Sequence, residues 1–132
     1  MYHSPNSQSA QLETRLVDFA VRIVRLCRDL PSDFAGIHFG KQMLRSGSSP
    51  ALHYGEARGA ESDKDFRHKC SIALKELRET YINLKIVNQS GIYSGTQLVD
   101  LLDENNQLIS IFVKTVRSMD TKIANSKLDK AK

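Results

Sequence analysis

Cysteine is scarce, long apolar runs are absent, and none of the familiar catalytic signatures occurs. Each absence removes a class of protein. Cys27 and Cys70 form no CxxC pattern, so there is neither a zinc-ligand arrangement nor a redox motif. Both fall on apolar helix faces and read as reduced core thiols of a cytosolic protein, with a disulfide between them the lesser alternative. No stretch approaches the length that spans a bilayer, and the opening MYHSPNSQSA lacks the apolar core of a signal peptide. A cytoplasmic protein without a membrane partner is expected.

The catalytic absences are as informative. There is no Gly-Lys-Ser/Thr phosphate loop and no nucleophile motif. A di-metal site in a helical bundle needs Glu-x-x-His on two helices plus a glutamate from each of the others. The chain has one reversed pair, His53-x-x-Glu56, and no second copy. His3 and His38 have no carboxylate or cysteine partner at ligand spacing on a shared face. Tyr54, Glu56 and Glu79 are the remaining acid–base candidates, and a structural role between helices suits them better. The expectation is a protein that is not an enzyme and holds no metal or cofactor.

What is present describes a helical domain. The 132 residues, 40% hydrophobic and 26% charged, suffice for one domain with a real core. The formal charge is +4, but residues 121–132 hold four lysines against one aspartate. The high isoelectric point is therefore mostly an effect of the C-terminal segment, and global charge says little about partners.

Residues 1–8 are polar, carry Pro5 and are expected to be disordered. The bundle domain follows over 9–120. Leu12, Leu16, Phe19, Ala20, Ile23, Cys27 and Leu30 recur three and four apart, which predicts a first amphipathic helix from about Ser9 to Leu30. Pro31 stops it, and Ser32 and Asp33 can cap the next. The second helix, about Phe34 to Gly59, contains five of the seven glycines and Pro50. Propensity alone would make this a loop. Gly36, Gly40, Ser48, Ala51, Gly55 and Gly59 nevertheless fall within an arc of about 140° at about 100° per residue, so a neighbouring helix can approach closely. A kink at Pro50 is expected.

Ser62 opens the third helix in a Ser62-x-x-Asp65 pattern that resembles a capping box. Its core stripe is Phe66, Cys70, Ala73, Leu74, Leu77, Tyr81, Leu84 and Val87. Gly91 and Gly95 bracket the next connection. The fourth helix, about Thr96 to Met119, carries a seven-residue repeat with Leu98, Asn105, Phe112 and Met119 at one position. Leu102, Ile109, Val116 and Ile123 stand at the other. Asn105 suits a register-setting role. Beyond Ile123 the basic tail, 121–132, is expected to fray. The whole reads as an all-α, antiparallel up-down-up-down four-helix bundle.

One helix face outside the core is unusual. Lys64, Arg67, His68, Lys75, Arg78 and Lys85 share an arc of about 100° on the third helix, taking about 100° per residue. Two readings stand at this point. Flanking Glu61 and Glu79 can pair with the bases and make an ordinary solvated face, or the row tracks nucleic-acid phosphates. No aromatics interleave for base stacking. Ile72, Ile82 and Ile86 lie among the charges, and a second apolar patch on a single-chain bundle points to self-association.

The central stretch also resembles a known family. Gln42, Leu44, Arg45, Ser46, Ser49, Tyr54, Glu56 and Ala57 carry the likeness, as do Glu61-Ser62, Asp65-Phe66, Lys69, Ala73-Leu74-Lys75-Glu76 and Glu79-Thr80. Together they are similar to the signature of the bacterial four helix bundle protein family, the 23S rRNA intervening-sequence proteins, over about Leu12 to Met119. His53 departs from it, where asparagine is usual in Asn-Tyr-x-Glu-Ala. The resemblance implies an antiparallel bundle that assembles as a homopentamer, with no established catalytic activity. It also implies a likeness to the accessory variability protein of diversity-generating retroelements, which binds nucleic acid and a reverse transcriptase through a basic surface. RNA or DNA and a polymerase are thus the partners it points to. The alternative is a protein-interaction scaffold that does not touch nucleic acid.

Overall fold

A computed structural model describes residues 7–131. The expected disorder of residues 1–6 lies outside this range. Within it, α1 (Gln8–Arg28), α2 (Phe34–Arg58), α3 (Asp63–Gln89) and α4 (Thr96–Ala131) are joined by short links. Three helix starts are capped by side chains. Ser7 accepts from the Ala10 amide, Asp33 from Gly36 and Ser62 from Asp65. Each satisfies an amide that the helix leaves unpaired. Ser7 caps α1 and Gln8 begins it, one residue before the start expected at about Ser9.

Each helix packs against its neighbours in sequence, and α4 closes the bundle against α1. Polar pairs between helices show the sense of packing. Arg45 meets Glu79 while Glu56 meets Lys69, so residue numbers rise on α2 as they fall on α3. The same order holds between α3 and α4, where Asp63 meets Lys122 and Leu77 meets Asn105.

The core takes most of the predicted stripes of α1 and α3 and adds Leu26, whereas Leu12, Ala20, Cys27, Phe66, Leu74 and Tyr81 are only half-buried. Leu16, Phe19 and Ile23 face Cys70, Leu77 and Leu84 across a continuous apolar cluster. On α4 the seam is shifted. Leu98, Asn105 and Phe112 are buried as expected, but Leu101 and Leu108 are the fully buried partners. Leu102 and Ile109 are only half-buried. α4 packs against α3 and α1 with its buried stripe centred near Leu98, Asn105 and Phe112 and spreading toward Leu101 and Leu108, away from Leu102 and Ile109; Val116 is buried as the repeat predicts. Asn105 donates from Nδ2 to the Leu77 carbonyl at 3.0 Å, tying α4 to α3 inside the core. Its Oδ1 has no partner. A buried unpaired acceptor of this kind costs about 1–3 kcal/mol, so Asn105 fixes register at the expense of stability.

α2 is helical throughout and passes through a buried Pro50. Its close approach to α1 uses a different set of small residues from the predicted arc. Gly36 and Gly40 are buried as expected, together with Gly47, which the arc left out. A Cβ on Gly47 would lie 2.9 Å from the Ile23 side chain. Ser48 lies at the edge, bonding back to the Leu44 carbonyl, and Gly59 is the exposed C-cap. The contact follows the spacing 36, 40, 43, 47, a narrower line than the 140° arc estimated from 100° per residue.

Cys27 and Cys70 are free thiols. Burial pushes them up to about 11 and about 12, away from the thiolate form that reacts. At the other extreme, α4 continues as helix to Ala131 where fraying after Ile123 was expected. Alanine, lysine and leucine carry the helix onward by propensity, although the segment is exposed apart from a half-buried Ile123.

Candidate nucleic-acid interface

The basic face of α3 is built by elimination. Core residues take one side of the helix, and Glu76 and Glu79 take the side toward α2. Arg45 on α2 reaches both Glu76, at 2.9 Å, and Glu79. Lys69 crosses in the other direction to Glu56 at 2.9 Å. Glu79 thus pairs with Arg45 of another helix and makes no ion pair with Lys75 or Arg78.

That changes the character of the row. Lys64, Lys75, Arg78 and Lys85 are exposed, and no carboxylate among the described residues pairs with them. Lys85 lies over the Tyr81 ring, 5.5 Å from its centroid. His68 is exposed as well. Within the set, Arg67 is ion-paired: its Nε donates to Asp120 of α4 at 2.9 Å, a helix–helix clip.

The predicted apolar contact separates in the same way. Ile82 and Ile86 are 54% and 41% exposed, whereas Ile72 is half-buried and contributes little outward surface. A second apolar surface was missed altogether. Val17 and Val21 on α1, with Ile37, Leu44 and Leu52 on α2, are all exposed. Ile37 and Leu44 border a shallow cleft with Cys27 and Arg28 of α1. The signal was present as Val17, Val21 and Val24, spaced four and three apart opposite the core stripe of α1.

The acid–base candidates are held in structural pairs. Tyr54 is buried, its phenol pushed upward by desolvation, and its ring meets Phe112 edge-on at 5.6 Å. Hydrogen bonding to Lys69 holds the Glu56 carboxyl below its ordinary value. His53 is half-buried, with Nδ1 unbonded and 3.9 Å from Glu56 Oε2. Among the described residues, no group of three or more histidines, cysteines or acids is arranged to hold a metal ion. No helix there is long and apolar enough to cross a membrane.

A four-helix bundle with tight small-residue packing in α2 and an uncompensated basic row on α3 is the class of protein these observations define. The chain belongs to the 23S rRNA-intervening sequence protein family, which it matches over residues 10–114. It is also similar to the crystal structure of a protein of unknown function from the S23 ribosomal protein family of Bacteroides thetaiotaomicron VPI-5482. The two share 28% identity and a TM-score of 0.77, over 84% of this chain and 99% of that one. No curated protein matches the chain.

Proposed function

We propose that this protein is a non-enzymatic homo-oligomer, a ring of five bundles, that binds RNA or DNA through phosphate contacts. The observation that carries the reading is the row Lys64, Lys75, Arg78 and Lys85, left without acidic partners because Glu76 and Glu79 turn toward Arg45. Ammonium and guanidinium groups on one rigid helix suit a backbone of regularly spaced charges and carry no base readout. Exposed Ile82 and Ile86, with the apolar surface between α1 and α2, support self-association. The number five comes from the family resemblance. A ring repeats a modest basic row around its circumference, which raises avidity without any new contact.

The scaffold alternative draws its support from the same α1–α2 apolar surface, which would then receive a polymerase or another protein. Light scattering on a sizing column separates the readings. The protein alone is expected at about 75 kDa, five times the 14.9 kDa chain. With structured RNA in low salt it is expected to co-elute at higher mass. A monomer mass at micromolar concentration refutes the ring, and failure to co-elute in low salt leaves the scaffold.

A further inference from the structure

α4 is 36 residues long against 27 for α3, so its last turns overshoot the bundle. This arm lies beyond the family match, which ends at residue 114. Its lysines are not scattered. Lys127 and Lys130 line a cleft of about 260 Å³ with Lys64, Ser62 and Asp63 from the start of α3. Ile123 and Ser126 of the arm also line it. Asp63 is the one carboxylate lining this cleft, and Lys122 already pairs with it at 3.4 Å. The cleft is therefore electropositive, and its charges come from two helices.

The arm itself is finely balanced. It grows from a formed helix, so no new nucleus is needed, and its alanines, lysines and leucine favour continuation. Against that, no neighbouring helix covers it, and Leu128 is 63% exposed. Lys127 and Lys130 also stand three apart, a like-charge spacing that weakens the helix. Polyanion binding at this face would remove the repulsion and add contacts, shifting the balance toward helix.

We infer that the α4 arm and Lys64 form a second phosphate-binding element, whose helix is stabilised by the nucleic-acid backbone it holds. This deepens the proposed function and rests on it, since Lys64 also ends the α3 row. A polymer suits the site better than a single phosphate. The rise from Lys127 to Lys130 is about 4.5 Å at about 1.5 Å per residue, comparable with the interval of about 3.4 Å at which phosphates of one strand recur along a duplex axis.

The test uses the full chain and labelled duplex RNA, with two variants. One is Lys127→Gln with Lys130→Gln; the other is Lys75→Gln, Arg78→Gln and Lys85→Gln. Affinity is read by anisotropy at several salt concentrations, and backbone amide exchange is followed over residues 121–131. The arm variant is expected to bind several-fold more weakly, with a salt slope shallower by about 2, at about 0.9 per lost phosphate contact. RNA is expected to slow exchange in the wild-type arm about tenfold and to leave the arm variant unchanged. Inorganic phosphate at equal ionic strength is expected to do much less. If the arm variant binds like wild type while the α3 variant weakens, the inference falls and the proposed function stands. Equal protection by inorganic phosphate overturns the polymer assignment. Absence of RNA binding by the wild type in low salt overturns both.

Discussion

Replacing Lys75, Arg78 and Lys85 together by glutamine is expected to weaken binding to structured RNA at least tenfold while the fold stays intact. Each phosphate contact on a duplex contributes about 0.9 to the slope of log affinity against log salt. Loss of three lowers that slope by about 2.7, which corresponds to roughly a 40-fold difference in salt response between 50 and 200 mM. The variant should therefore diverge from wild type most in dilute salt. Stability should hardly move, because all three side chains are exposed and none makes an ion pair among the described residues. Only Lys85 has a resolved partner, the Tyr81 ring, and an exposed cation–π contact is worth about 0.5–1 kcal/mol. Equal affinity in wild type and variant would remove this row as the contact surface.

Gly36→Ala is expected to be the most damaging single-methyl change in the chain. A Cβ there would stand 1.9 Å from the Pro31 carbonyl oxygen and 2.8 Å from its carbon. Both are backbone atoms, so no rotamer change relieves the clash, and the link between α1 and α2 must move. That movement also pulls on the α2 cap, where the Gly36 amide donates to Asp33 Oδ1 at 2.8 Å. Overpacking costs about 1–3 kcal/mol and a lost cap about 1 kcal/mol, giving a total of about 2–4 kcal/mol. For a domain of this size the melting temperature should fall by about 10 °C. Gly55→Ala is the control. Its Cβ would meet only Glu13 Oε1 at 3.5 Å, an ordinary contact, and alanine is the better helix former. Thermal unfolding should show the first variant falling and the second holding or rising. Equal stability in both would show that the tight link is not constraining.

These two sites also mark what could be read from residues alone. The stripes of α1 and α3 were legible because burial on one side of a regular helix imposes its period on the sequence. α2 was legible for the opposite reason, since glycines too costly for an isolated helix make sense only where another helix needs the space. Which glycine makes contact was not legible. Gly47 and Ser48 are adjacent, and only the position of Ile23 on α1 decides between them. On α4 the heptad pattern identified the helix but chose Leu102 and Ile109 over Leu101 and Leu108, because the spacing leaves open to which side of the Leu98–Asn105–Phe112 line the helix is rotated against its neighbours.

The basic row shows the same boundary between local and distant information. Its residues could be named from helical spacing. Whether Glu79 would quench them could not, since its partner Arg45 lies 34 residues away on another helix. Likewise Arg67 looked free until Asp120, 53 residues on, came beside it. Charge pairing belongs to the tertiary structure, so a row of bases in sequence states a possibility that folding then edits.

The most direct measurement of the central claim is lysine footprinting with an amine-acetylating reagent, read by mass spectrometry with and without bound RNA. Lys75 and Lys85 on α3 are expected to be protected in the complex, while Lys41 on α2 and Lys114 on α4 stay as reactive as in free protein. Equal labelling of Lys75 and Lys85 in both states, with RNA demonstrably bound, would contradict the account.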